Sequence, residues 1–330
     1  MIEKMIREAR SQRASDIHIS EGQAVYLRID GKLIKSDLEL SDEMTRKLIL
    51  SLLTKERQES IWRGEDADFA LETSDGNRQR VNVFCQQGRL AAAIRLLNAK
   101  VPTLSQLHLP PVLQNLANEP RGLILVTGPT GSGKSTTLAA MVDYINHTRA
   151  DHILTIEDPI EMPLDGEYHS QDGELGLCKQ TVPPEGKWEE GLKSALRSKP
   201  RYILLGEIRT PEVASEALRA ATSGHLVLST IHANNVSDAV NSLVKYAASS
   251  GISEEMAYDL VANGFLACIH QILEGVPKRA KQTYLFANPN TQKSCQVRGI
   301  LRSGKLNLGT VLEQQKIKLQ RGLPLFSDMI

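Results

Sequence analysis

The sequence is short of several things, and each shortage removes a class of protein. None of its four cysteines, Cys85, Cys178, Cys268 and Cys295, belongs to a CxxC pair. That argues against a zinc site or a disulfide framework and fits a reducing compartment. No apolar run approaches the length of a membrane span, and the opening MIEKMIREARSQRASD has no apolar signal core, so a cytoplasmic location is expected. Neither sign of charge is in excess, with 39 Lys and Arg against 39 Asp and Glu, and aromatic residues make up only 4%. Strand-binding surfaces need basic grooves and stacking rings, so no nucleic-acid partner is expected. The same balance argues against recruitment to a membrane by lipid electrostatics. Internal repeats and low-complexity tracts are also missing.

What remains is an ordinary globular composition, 41% hydrophobic and 24% charged over 330 residues, long enough for about two domains. Residues 1–103 read as a small α+β domain. Met1 to Arg10 is an amphipathic helix candidate, and "DIHIS" and "AVYLRI" alternate as strands do. Asp30-Gly31 signals a hairpin, and Ser41 opens a helix whose first turn is acidic. "QRVNVFCQ" and "RLAAAIRLL" complete the set of strands, and "NAKVPTLSQLHLPP" marks the boundary. Residues 104–330 change rhythm. "GLILVTG", "HILTIED", "YILLGE" and "HLVLSTIH" are nearly continuous apolar runs between helical stretches, the pattern of an α/β parallel sheet covered on both faces. From about Ser237 the chain reads as mostly helical.

The chemistry begins at "GPTGSGKST": Gly128, Pro129, Thr130, Gly131, Ser132, Gly133, Lys134, Ser135 and Thr136. This is a complete GxxxxGK[ST] P-loop between a strand and a helix. Its glycines let backbone N–H groups turn around phosphates at a helix N-terminus, so ATP is the expected cofactor. Lys134 would reach the β- and γ-phosphates, Ser135 would ligate Mg²⁺, and Thr136 would border the α-phosphate. Glu207 ends "RYILLGE" where many P-loop enzymes carry Asp-Glu; here Gly206 takes the Asp position. Glu207 acts on the metal or its water shell, or simply opens a loop. His225 and His232 bracket a strand and are too far apart to share an ion. His232, at the strand's C-terminal end where ligands collect, is either a γ-phosphate sensor or a satisfied structural histidine. "ILTIEDPIE" poses the remaining problem, because Glu157 closes an apolar strand where a carboxylate is costly. A place beside the P-loop, facing the γ-phosphate and polarising the attacking water, would make that charge tolerable. Glu207 as the base, with Glu157 on the metal, is the alternative.

In order and spacing, the P-loop, "TIEDPIE", "LLGEIR" and "TSGHLVLSTIH" resemble the secretion ATPase superfamily, and within it the pilus-retraction (PilT-like) ATPases of type IV pilus systems. "ASDIHIS", "LRIDGKL" and "RQRVNVF" resemble that family's N-terminal domain, and "VRGILRSGKL" is a degenerate form of a motif typical of retraction ATPases. The resemblance implies a RecA-like P-loop ATPase domain preceded by a small PAS-like domain, with ATP between the two. It also implies a homo-hexamer working with an inner-membrane pilus or secretion platform protein, with membrane association only through that partner. It assigns Glu157 to an acidic box that positions water, Glu207 to a second carboxylate near Mg²⁺, and His225 and His232 to a histidine box. Arg80 and Arg95 fall on N-terminal-domain arginines that approach the phosphates, and Arg209 on the arginine after Gly-Glu. Ser198-Lys199-Pro200-Arg201 stands where the family often has Asp-Pro-Asp, and the stretch 166–187 is longer than in most relatives. The basic replacement resembles the ATPases of conjugation and effector delivery, which keeps a secretion or conjugation role as the alternative to retraction.

Overall fold

The computed structural model describes residues 1–97, 100–184, 186–276, 278–290 and 295–325. Residues 98 and 99, at the head of the boundary stretch, and 185, inside the 166–187 stretch, lie outside the described residues. Two compact units emerge, Met1–Lys100 with Pro159–Pro163 and Val101–Asp158 with Leu164–Ile330.

The first unit runs α1 (Ile2–Ser11), β1 (Ala14–Ser20), β2 (Tyr26–Ile29), β3 (Lys32–Lys35), α2 (Asp42–Leu50), α3 (Lys55–Trp62), β4 (Ala67–Glu72), β5 (Arg78–Gln86) and β6 (Arg89–Leu96). Its sheet has the order β3-β2-β1-β6-β5-β4, with every neighbour antiparallel. Asp30 and Gly31 both have positive φ, 49° and 81°, the backbone that a two-residue hairpin turn requires. The Ser41 hydroxyl caps α2 by accepting from the Met44 N–H at 3.2 Å, and Asp42 and Glu43 complement the helix dipole. Alternation then sorts the sheet's faces. Val81 and Val83 of β5 are buried with Ile17, Ile94 and the α1 residues Met5 and Ile6, so Arg80 and Asn82 stand on the opposite face.

The second unit comprises α4 (Val112–Ala117), β7 (Gly122–Thr127), α5 (Lys134–Thr148), β8 (His152–Ile156), β9 (Gly166–His169), β10 (Leu175–Thr181), α6 (Trp188–Arg197), β11 (Tyr202–Glu207), α7 (Pro211–Thr222), β12 (Leu226–Ile231), α8 (Val236–Ser249), α9 (Glu254–Gly264), β13 (Phe265–Glu274), β14 (Arg279–Phe286), α10 (Gln296–Arg302) and α11 (Gly309–Gln320). The sheet order is β14-β13-β7-β12-β11-β8-β10-β9. The strands from β13 through β10 are parallel to their neighbours, and β14 and β9 close the edges in the antiparallel sense. Every residue of β7 and β12 is buried, as expected for parallel strands sandwiched between helices. Leu123, Leu125, Leu205, Val227 and Ile231 point into one core with residues of α6, α7, α8 and α9. By alternation Ile124, Val126 and Leu228 point the other way, where α5 contacts the same strands.

The helical reading from Ser237 needs correction. Helices α8 and α9 are there, but Phe265–Glu274 and Arg279–Phe286 form a strand pair. "FLACIHQIL" is an apolar run broken only by His270 and Gln271, and such a run fits a buried strand as well as a buried helix. Pairing decides it: β13 bonds β7 on one side and β14 on the other. Within the C-terminal motif, Arg298 is buried and donates to the carbonyls of Ala262, Asn263 and Asn288. It thereby ties α10 to the last turn of α9, where carbonyls lack helical partners. Burial lowers its pKa.

None of the four cysteines is in a disulfide. Burial pushes the Cys178 thiol up to about 12, and pushes Cys268 up as well. In the native protein at pH 8 these two should resist alkylation, whereas denaturant should expose all four cysteines to it. Mass spectrometry of iodoacetamide-treated protein checks this; rapid native labelling of Cys178 or Cys268 would contradict the packing around β10 and β13.

Candidate functional site

The P-loop leaves the end of β7 and runs into α5. Strand β7 is hydrogen-bonded on both sides, with Thr127 registered to Ile231 of β12 and to His270 of β13, so the position of the loop's first residue is fixed by two neighbours. Gly128 has φ 141°, and a Cβ placed on it would lie 2.1 Å from the carbonyl oxygen of Gln271. Only glycine allows this backbone to lie so close to β13. The Lys134 ammonium donates to the carbonyls of Gly128 and Pro129, both at 3.0 Å, which holds the lysine over the loop. The hydroxyl oxygen of Ser132 is buried without a hydrogen-bond partner, the kind of orphan that a phosphate oxygen satisfies. A complete glycine-rich loop, a lysine over it and an orphan hydroxyl together fit a nucleotide's phosphates.

Two acids reach the same C-terminal edge of the sheet, where ligands of open α/β sheets collect. Glu207 ends β11, and its carboxylate pairs with Arg209 and lies 3.5 Å from Nε2 of His232. His232 follows β12 directly, and the neighbouring Ala233 carbonyl accepts from the Thr127 hydroxyl at 3.1 Å. Glu207, Arg209 and His232 therefore form one cluster. Glu157 follows β8. Its N–H donates to the Thr181 carbonyl at 3.0 Å, and its carboxylate accepts from the Gln180 amide at 3.0 Å. Gln180 is oriented in turn, because its oxygen accepts from the N–H groups of Leu164 and Asp165 at 2.8 and 3.0 Å.

Glu157 is not beside the P-loop strand. Strands β12 and β11 intervene between β7 and β8, so the strand ends are separated by roughly 14 Å at the usual inter-strand spacing. Glu207 is one strand nearer. The apolar run identified β8 as a strand but carried no information on its rank in the sheet. The histidines also part company. His225 precedes β12, close to the start of β7, where its carbonyl accepts from Gly122 N–H at 3.0 Å. Its ring contacts the Ala220 carbonyl at 3.1 Å and the Ser223 hydroxyl at 3.3 Å, at the end of α7. The length of a six-residue strand, roughly 20 Å, separates it from His232, so the two cannot meet the same phosphate of one nucleotide within this unit.

In the first unit, Arg80 and Arg95 are directly opposite each other on β5 and β6. Asp68 binds Arg80 through both oxygens at 2.6–3.2 Å, and Asp16 accepts from Arg95 at 3.0 Å. Asp16 also lies 3.6 Å from Arg28, so Arg28, Asp16, Arg95, Arg80 and Asp68 follow one another across this sheet from β2 to β4. The sequence reading missed Gln180, Trp188 and Gln271. A Cβ on Gly206 would approach Cη2 of Trp188 to 3.2 Å, which explains glycine in place of the aspartate of many P-loop enzymes: an acid there would be driven into the indole. Gln271 carried a usable signal, a lone amide in an apolar strand. Gln180 carried none.

Because the Gly128 contact is with backbone, Gly128→Ala should cost about 1–3 kcal/mol and distort the loop. Thermal denaturation with and without ATP should show a lower Tm and little stabilisation by nucleotide. An unchanged ATP-dependent Tm shift would contradict the close approach.

Comparison with known proteins gives the family and the fold. The chain is 38% identical over 244 residues, 74% of its length and 70% of the relative's, to the type IV pilus retraction ATPase PilT of Pseudomonas aeruginosa. The crystal structure of the pilus retraction motor PilT with bound ADP matches at a TM-score of 0.80 and 34% identity, covering 98% of this chain and 90% of that one. The ATPase DotB of Legionella pneumophila matches at a TM-score of 0.75 and 27% identity, covering 99% of this chain and 93% of that one. These likenesses give the fold as a RecA-like P-loop ATPase unit preceded by a small α+β PAS-like unit. A family model described as type II/IV secretion system protein matches residues 1–317, and the chain belongs to that family.

Proposed function

We propose that this protein hydrolyses ATP as a homo-hexameric motor that powers pilus retraction, acting at the inner membrane through a pilus platform protein. The observation that carries the reading is the complete P-loop, held by its lysine and braced by β13, in a chain similar along nearly its whole length to the PilT motor with bound ADP. No helix among the described residues is long and apolar enough to cross a membrane.

In this reading the P-loop N–H groups and the α5 N-terminus cradle the phosphates, and Lys134 moves from the loop carbonyls to the β- and γ-phosphate oxygens. The Ser135 hydroxyl would hold Mg²⁺, which when bound neutralises charge developing between those phosphates. Among the described residues no group of three or more His, Cys, Asp or Glu is placed to hold a metal; an ion here would draw most of its ligands from nucleotide and water. Glu157, aimed by Gln180, holds and polarises the attacking water. Glu207 would stand with Ser135 at the ion, and His232 and Arg209, which flank its carboxylate, would face the γ-phosphate. Arg80 and Arg95 exchange their carboxylate partners for phosphate oxygens and stabilise transition-state charge. A secretion or conjugation role is the second reading, supported by the likeness to DotB. The basic stretch adds little to it, because Arg201 pairs with Asp151 at 3.5 Å and stacks on Tyr202 within its own unit. A strain lacking the protein should keep surface pili and lose twitching; normal twitching with failed substrate transfer would favour the second reading.

Glu157→Gln should retain ATP binding and lower turnover by about 10²–10⁴-fold. Steady-state phosphate release from this variant and from Glu207→Gln distinguishes the two acids; near-normal turnover in Glu157→Gln beside a dead Glu207→Gln would reverse their roles. Light scattering in the presence of an ATP analogue should report six subunits per particle, as the resemblance implies. A fully active monomer would contradict the ring.

A further inference from the structure

The β13–β14 pair carries a run of amides that ends on the P-loop. Gln271 of β13 is 1% exposed. Its Nε2 donates to the Ser132 carbonyl at 2.6 Å, and its Oε1 accepts from the Thr137 hydroxyl at 2.8 Å in the first turn of α5. Directly across the ladder stands Gln282 of β14, whose Nε2 donates to the same Oε1 at 2.5 Å. The Tyr284 hydroxyl in turn donates to Gln282 Oε1. Each link fixes the next. A hydroxyl on Gln282 Oε1 turns the Gln282 amide nitrogen toward Gln271, and two donors on Gln271 Oε1 turn its nitrogen toward Ser132. The carbonyl of Ser132 accepts only, so no other orientation satisfies the set.

The consequence falls on the phosphate cradle. In a planar trans peptide the C=O and the following N–H point in opposite directions. Holding the Ser132 carbonyl against Gln271 therefore points the Gly133 N–H away from β13; glycine is favoured there by its φ of 83° and because a Cβ would sit 3.1 Å from the Gln271 amide nitrogen. The Thr137 bond ties the first turn of α5 to the same amide, so one side chain sets the loop and the helix N-terminus together. We infer that Gln271 is a positioning residue for nucleotide binding, and that the Tyr284–Gln282–Gln271 relay pre-shapes the P-loop's anion cradle from the far side of β13. The inference rests on the P-loop being the nucleotide site.

Gln271→Met keeps length and burial while removing both hydrogen-bonding ends. With a fluorescent ADP analogue as probe, its Kd should rise about tenfold for the lost orientation. In ATP turnover the loss should appear in KM, with kcat changed less than about threefold. Gln282→Met leaves Gln271 in place and should give a smaller rise. Gln315→Met is the control: Gln315 is an equally buried amide of the same unit that clamps Phe286 N–H and C=O at 2.9 and 2.8 Å, away from the loop. It should lower Tm and leave Kd alone. The inference is overturned if folded Gln271→Met binds the probe within twofold of wild type, or if Gln315→Met weakens binding as much. Should Gln271→Met not fold, the comparison of Gln282→Met with Gln315→Met decides by the same criterion. Failure of wild type to bind the probe, matched by an indifferent Lys134→Ala, would overturn the nucleotide-site reading itself.

Discussion

The second unit depends on one constraint: β7 is buried on both faces and must place all its backbone polar groups in neighbouring strands. Its partners are β12 and β13, and their register sets where the chain emerges as the P-loop. Gly128 is pressed onto the Gln271 carbonyl as a direct result, and the Ser132 carbonyl is then within reach of the Gln271 side chain. A loop that must offer N–H groups to an anion gains its shape from the strand it leaves and from the strand next door. This is pre-organisation in the ordinary sense, with ordering completed during folding and not during binding.

The acids show a second use of neighbours. Carboxylates at the edge of an apolar sheet need donors or positive charge. Glu207 has both in Arg209 and His232, and Glu157 has the Gln180 amide. In the proposed reading Glu157, which accepts from Gln180, orients water, and Glu207, clustered with Arg209 and His232, faces phosphate and metal. In the first unit the same rule appears in the arginine–carboxylate pairs, in which buried Asp16 and half-exposed Asp68 hold exposed arginines.

Much of this was legible in the residues. Ser41, Asp30-Gly31 and the alternation in β5 carry local rules of capping, turn geometry and burial, and the structure follows them. The P-loop motif, Glu207 and His232 could be placed at strand ends because apolar runs fix where parallel strands stop. "FLACIHQIL" could not be resolved, because an apolar run broken only at His270 and Gln271 satisfies a buried helix and a buried strand equally. The sheet rank of β8 was also illegible, since nothing local to residues 152–156 records which strands lie between it and β7.

The sequence by itself determined the chemistry on offer: a phosphate cradle of defined residues, two carboxylates, a histidine at a strand end, and the glycines at which backbone must pass closely. These follow from short-range physics, in which side-chain size, charge and φ/ψ freedom act within a few residues. Only the tertiary structure decided which of those groups meet. It put Glu207 with Arg209 and His232, sent His225 to the opposite end of β12, gave Glu157 to Gln180, and brought Gln271 under a loop that lies 139 residues earlier at Ser132. Strand order and register are set by the packing of the whole sheet between its helices, a sum over contacts far apart in the chain that no local stretch of residues contains.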